Sequence, residues 1–170
     1  MQTLKISQEN EKAEYPRLIG LAGIKGVGKT TFAFQVGGDV ISLATPIKKM
    51  LEVIVPKLFI YEEKESSIPG FPEGVNARRL MQTLGTDWGR NIYPDIWLNF
   101  VEEKIVETQA KSSQRIIIDD IRFKNEAEMI RRNNGEIWRL KRAGVRTEDN
   151  HISEAGISDE LIDKEIWLDA

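Results

Sequence analysis

Nine consecutive residues, Gly-Ile-Lys-Gly-Val-Gly-Lys-Thr-Thr at positions 23–31, carry the groups needed to hold a chain of phosphates. Gly23, Gly28, Lys29 and Thr30 satisfy the spacing G-x-x-x-x-G-K-[ST]. Glycine lets such a turn fold tightly enough for successive backbone N–H groups to converge on one anion, here drawn from Gly23, Gly26, Val27, Gly28 and Thr31. A helix starting at the same point aims the positive end of its dipole at that anion. Lys29 adds a cation that reaches the β- and γ-phosphates, and the Thr30 hydroxyl suits Mg²⁺. The stretch therefore predicts a P-loop for a magnesium nucleoside triphosphate. No Asn-Lys-x-Asp guanine signature accompanies it, which argues against a GTPase switch.

A magnesium site beside a triphosphate needs further oxygen ligands. Asp119 and Asp120 close the apolar run Ile116-Ile117-Ile118, where an acid would orient the hydrated ion. Adjacent residues of a strand face opposite ways, so spacing alone leaves open which of the two serves. Phosphoryl transfer then asks mainly for positioning and for cancellation of spreading negative charge. Arg78, Arg79, Arg90, Arg122, Arg139, Arg142 and Arg146 are the candidate cations. Arg122, two residues past Asp120 at a strand end, is the first choice, whereas Arg139, inside a strand, reads as structural. His151 is the single histidine, set in a polar loop, and the chemistry requires no imidazole base.

These groups must be positioned by strands and helices, and apolar periodicity predicts both. Arg17–Ala22 reads as a buried strand feeding the loop, and Thr30–Val36 as a helix stopped early by Gly37-Gly38. Asp39–Ala44 reads as a second strand. Pro46 then suits the first turn of a helix with Ile47, Met50, Leu51 and Ile54 on its inner face. Residues 62–75 carry two prolines and two glycines without periodicity and are expected to form a mobile loop. A helix follows from Asn76 or Ala77 with Leu80, Met81, Leu84 and Trp88 apolar, and a longer one from an Asp95 cap to about Lys111. In that longer helix Ile96, Trp97, Phe100, Val101 and Ile105 form the core stripe.

Arg115–Asp120 reads as a central parallel strand and Asn125–Asn134 as a helix closed by Gly135 in a left-handed cap. Glu136–Lys141 alternates as a strand, and Ile166–Leu168 forms a last strand or the end of a helix. Strands separated by helices predict an α/β fold, a doubly wound and mostly parallel sheet of about five strands with flanking helices. Ligands of such sheets sit at the carboxyl ends of the strands, here Gly23, Ala44, Asp120 and Arg142.

The bulk properties are compatible with this picture. The 170 residues fit one domain, expected over 17–170 behind a polar tail at 1–16, where Leu4 and Ile6 could add an edge strand. Hydrophobic content of 41% and charge of 30% are those of an ordinary globular protein. A net charge of −3 argues against general binding to a nucleic-acid polymer. With no cysteine there is no disulfide framework and no thiol nucleophile. Without a signal-peptide core or an apolar run long enough to span a bilayer, a cytoplasmic protein is expected, in the host cytoplasm if the chain is viral. Oligomeric state is not specified; a homodimer is compatible with the sequence.

Several segments, taken in order, resemble the phage-type deoxynucleoside monophosphate kinases, a family of P-loop NTPases. They are Gly-Leu-Ala-Gly at 20–23, Ala-Thr-Pro-Ile-Lys at 44–48, Arg-Arg-Leu-Met-Gln-Thr-Leu-Gly-Thr-Asp-Trp-Gly-Arg at 78–90, Asp-Ile-Arg-Phe-Lys-Asn-Glu at 120–126 and His-Ile-Ser-Glu at 151–154. The resemblance implies transfer of the γ-phosphoryl group of ATP, with Mg²⁺, to a deoxynucleoside 5′-monophosphate. It implies that Lys29 and Thr30 serve ATP and magnesium, that Asp120 is the family's acid and Arg122 its neighbouring arginine. Lys25, Ile47, Lys48, Arg78, Gln82 and Trp88 would line the acceptor side, Trp88 being equally compatible with a core position. Arg142 and the segment 142–158 would form a lid over the nucleotides. The family usually has an acid where Thr45 stands, and its P-loop helix is longer. Rival readings are therefore a small-metabolite kinase on the same fold or a catalytically impaired nucleotide-binding protein.

Overall fold

A computed structural model describes residues 15–145 and 156–169. The tail with Leu4 and Ile6, and most of the expected lid with Arg146, His151 and Glu154, lie outside the described residues. The described chain divides into two compact units, one running through Ile41 and resuming at Lys104, the other Ser42–Glu103.

The first unit is built on β1 (Leu18–Ala22), the expected apolar run, whose five residues are all buried. The described strands form one sheet in the order β2-β3-β1-β4-β5, where β2 is Asp39–Ser42, β3 Ile116–Asp119, β4 Glu136–Arg142 and β5 Lys164–Leu168. The pairs β1–β3, β1–β4 and β4–β5 are parallel, with Leu18 opposite Ile116, Ile19 opposite Glu136 and Trp138 opposite Lys164. This is the α/β P-loop NTPase architecture expected. Leu18, Ile19, Ile116, Ile117 and Ile118 are fully buried, because β1 and β3 are interior strands covered on both faces. One core cluster joins Ile19 and Leu21 of β1 to Ile117, Trp138 and Leu140, and to Phe32 and Ala33 of α1 (Lys29–Val36). The sequence left 166–168 open between strand and helix; it is strand β5.

The second unit holds α2 (Thr45–Leu51), α3 (Lys57–Tyr61) and α4 (Ala77–Gln82), α4 packing on the other two. Pro46 stands in the first turn of α2, as expected. Only Ile47 and Leu51 of its expected inner face are buried, however. Met50, inside the helix, is 44% exposed, and Ile54 is 61% exposed because the helix ends at Leu51 before reaching it. Helix α3 had no sequence signal long enough to reveal it. The 62–75 loop is free of helix and strand but anchored, with Ile68 buried and Ser67 bridged to Asn76.

Asn76 caps α4, its side chain accepting from Arg79 N–H. The helical pattern beyond it holds, but Thr83–Arg90 winds as a π-helix, which apolar spacing does not reveal. Helix α5 (Ile96–Lys111) follows with Trp97, Leu98, Val101 and Ile105 buried. Helix α6 (Lys124–Arg132) ends differently from expectation: Asn134, with φ 58°, takes the left-handed position, not Gly135. Gly135 is required instead for space, since a Cβ there would lie 2.8 Å from side-chain atoms of both Ile130 and Leu18.

Candidate active site

The P-loop begins where β1 ends. Gly23 has φ 141°, and a Cβ there would sit 2.8 Å from Leu140 O of β4, so neither the conformation nor the space admits a side chain. Gly28, φ 110°, is the N-terminal cap residue of α1, which lets the chain turn into the helix directly at Lys29. Thr30 and Thr31 are exposed on the first turn, and Lys25 is exposed at the tip.

Parallel pairing of β1 with β3 brings the acidic strand end beside this loop. Gly20 is opposite Ile118, so Ala22 is level with Asp120. Ile121 N–H donates to Leu21 O at 2.7 Å and holds the chain there. Asp120 adopts a left-handed backbone, φ 65°, a conformation Asp tolerates better than most residues. Its carboxylate receives Lys29 Nζ at 3.1 Å and Arg122 Nε at 2.8 Å. Lys29 Nζ also donates to the loop carbonyls of Gly23 and Ile24. Crowding by protein, the largest influence, pushes the Asp120 carboxyl up, but the Lys29 and Arg122 charges together outweigh it and hold the group below the usual carboxylate range. Asp120 is therefore an anion clamped between two cations, and Asp119 is the last residue of β3.

Arg142 extends from the end of β4 over the same loop, where a Cβ on Gly28 would meet its Nη2 at 3.2 Å. Arg122, Arg139, Lys141 and Arg142 line a cleft of about 300 Å³ that opens above Gly23 and Ile24, with Trp167 at its rim. Arg139 is tied down by Asp159, by Ile157 O and by Glu165, in keeping with its expected structural role.

One residue escaped the reading of individual positions. Glu126, 3% exposed, is the buried charged residue among the described ones. Its Oε2 accepts from Arg122 N–H at 2.7 Å and Phe123 N–H at 3.0 Å, fixing the turn that carries Arg122. The signal was available as a glutamate in the third position of α6, where its carboxylate can turn back to free N–H groups.

The other expected site residues belong to the second unit. Arg78, 16% exposed in its side chain, has Nε 3.6 Å from Glu65 Oε1, and its backbone N–H donates to Lys64 O. Lys48 Nζ lies 5.3 Å from the centre of the Tyr61 ring. Ile47 is buried, its Cδ1 against Gly85. Gln82 ends α4, and Trp88, 45% exposed, is not a core residue. Arg90 donates to Pro94 O at 3.1 Å and so closes the turn before α5.

The sequence model of deoxynucleotide monophosphate kinases matches residues 53–169. The chain belongs to the deoxynucleotide monophosphate kinase family. A protein of Acanthamoeba polyphaga mimivirus assigned as a deoxynucleotide monophosphate kinase is 30% identical over 154 residues, covering 81% of this chain and 80% of that one. The deoxynucleoside-5′-monophosphate kinase of Escherichia phage T5 is 31% identical over 80 residues, 46% of this chain and 30% of that enzyme. The deoxynucleotide monophosphate kinase of Escherichia phage RB69 is 28% identical over 98 residues, 57% and 40% respectively, so the chain spans less than half the length of either phage enzyme. A dephospho-CoA kinase from Campylobacter jejuni, 14% identical, superposes with a TM-score of 0.44 over 89% of this chain and 87% of that one. At that level the likeness adds nothing to the fold read from the sheet itself.

The family match begins at residue 53 and so lies beyond the P-loop, which its residue spacing and its geometry identify. Among the described residues no group of three His, Asp or Glu side chains could hold a metal by itself. A magnesium ion carried by a nucleotide takes only one or two protein ligands and completes its shell with phosphate oxygens and water. No helix among the described residues is long and apolar enough to cross a membrane.

Proposed function

We propose that this chain transfers the γ-phosphoryl group of ATP to the 5′-phosphate of a deoxynucleoside monophosphate, forming the diphosphate and ADP. The observation that carries this reading is the triad Lys29, Asp120 and Arg122 at the mouth of a glycine loop that opens directly into a helix. Each of these groups is prepared for a polyphosphate. Lys29, now bonded to its own loop carbonyls, exchanges them for β- and γ-phosphate oxygens. Arg122 and Arg142 add positive charge where the transferring group spreads its negative charge. The backbone N–H groups of Gly26, Val27, Gly28 and Thr31 complete the cradle.

The donor set of Thr30 hydroxyl and Asp120 carboxylate is all oxygen, the chemistry Mg²⁺ prefers. Thr30 and Asp120 would hold the ion together with the triphosphate, and its charge would help neutralise the phosphate oxygens. On the acceptor side, Arg78 and Lys48 of the helical unit offer cations to the 5′-phosphate. Gln82 and Trp88 present an amide and an exposed aromatic face to the base, and Ile47 packs against Gly85 between them in the chain.

An assay of ADP release across dAMP, dCMP, dGMP, dTMP and 5-hydroxymethyl-dCMP tests the reading. Stimulation by at least one of them is expected. ATP binding measured by calorimetry with no stimulation by any of the five would instead favour a nucleotide-binding protein without transfer activity.

A further inference from the structure

The π-helix Thr83–Arg90 continues α4 without a break. A π-helix has i→i+5 hydrogen bonds and about 4.4 residues per turn in place of 3.6, and it rarely exceeds one turn unless its surroundings hold it. Two side chains do so here. The Trp97 indole N–H donates to Gly85 O at 2.7 Å in a buried position. The same indole lies against Gly89, where a Cβ would be 2.5 Å from Cζ2 and 3.0 Å from Cε2. Gly85 in turn rests on Ile47, with only 2.8 Å between its Cβ position and Ile47 Cδ1.

The winding has a directional effect. Relative to an α-helix, each π-helical residue turns about 18° less, which accumulates to roughly a quarter turn between Thr83 and Trp88. Trp88, exposed between the two buried glycines, therefore faces a direction that α-helical continuation from Arg78 and Gln82 would not give it.

We propose that Trp97 is a positioning residue for the deoxynucleoside monophosphate. It holds Thr83–Arg90 in π-helical form and so aims Trp88 relative to Gln82 and Arg78. This rests on the acceptor-side role given to those three residues above. Trp97 does not touch the reacting groups; it acts through the carbonyl of Gly85 and the bare backbone of Gly89.

The test is steady-state kinetics of the full chain with ATP and the preferred deoxynucleoside monophosphate varied independently. Trp97→Phe keeps an aromatic ring but cannot donate to Gly85 O. It is expected to raise the acceptor KM roughly tenfold while leaving the KM for ATP within about twofold, since misaimed side chains weaken one substrate only. Gly89→Ala keeps the indole and presses on it from the helix side; it should give the same selective change, and it decides the matter if Trp97→Phe does not fold. In the double variant the two effects should be less than additive, because both act on one contact. An unchanged acceptor KM, or equal rises for both substrates, overturns the positioning role in an active enzyme. A wild-type chain inactive on every monophosphate overturns the kinase reading first, and the positioning role with it.

Discussion

In the P-loop, glycine supplies backbone conformation: Gly23 and Gly28 have φ of 141° and 110°, which side chains rarely allow. In the π-helix, Gly85 and Gly89 have no positive φ and supply only the absence of a Cβ, letting Ile47 and Trp97 approach to where a side chain would begin. The first use is local. Its spacing is a fixed pattern because neighbouring residues must form one concave turn, whichever protein carries it. The second use is relational, and its meaning depends on a tryptophan that belongs to another helix. The same contrast separates the chemistry. The P-loop unit gathers charge at one point through Lys29, Asp120 and Arg122. The helical unit arranges shape through winding and packing.

Breaking the charged cluster should cost rate, and disturbing the helical unit should cost acceptor affinity. Lys29→Ala is expected to have the largest effect, a loss of about a thousandfold or more in the single-turnover rate, because it removes the cation that follows the transferring phosphate. A loss seen only in the KM for ATP would erase the proposed distinction. Glu126→Ala comes next. It leaves the N–H groups of Arg122 and Phe123 without their acceptor and should destabilise the chain by about 2 kcal/mol, read from urea denaturation, with a parallel fall in kcat. Glu126→Gln keeps an acceptor oxygen and should recover most of both.

Arg78→Ala sharpens the other side. It should raise the acceptor KM roughly tenfold with the KM for ATP unchanged, which steady-state kinetics measures directly. The smallest effect concerns pH. The folded pKa of Asp120 lies below its unfolded value, so its ion pairs stabilise the fold fully above the ordinary Asp value of about 3.9 and lose that contribution as pH falls through the lower folded value. Asp120→Asn should therefore lower the urea midpoint at pH 7 by an amount equivalent to at most about 1 kcal/mol, since the carboxylate is partly open to solvent. That difference should vanish in acid; a difference that persists would show that packing, not charge, holds the site.

The sheet was legible because its strands are short apolar runs bounded by glycine or acid, and Leu18–Ala22 and Ile116–Ile118 stand out at once. Arg122 was legible from its place two residues past Asp120, and the geometry joins the two directly. Ile54 misled, since periodicity cannot tell where a helix stops, and Met50 misled because an apolar residue at helical spacing need not meet a neighbouring element. Gly135 misled for the opposite reason: a glycine after a helix usually marks a left-handed cap, and here Asn134 takes that conformation while Gly135 makes room for Leu18.

By itself the sequence determined the phosphate cradle, the acid at the end of a neighbouring apolar strand and the α/β alternation, because each is written within a few consecutive residues. The tertiary structure decided that Asp120 meets Lys29, that Glu126 turns inward beneath Arg122, and that Thr83–Arg90 winds as a π-helix over Trp97. The first and the last of these choices join residues distant in the chain. Those two are set by parallel register and side-chain volume, which no local spacing encodes.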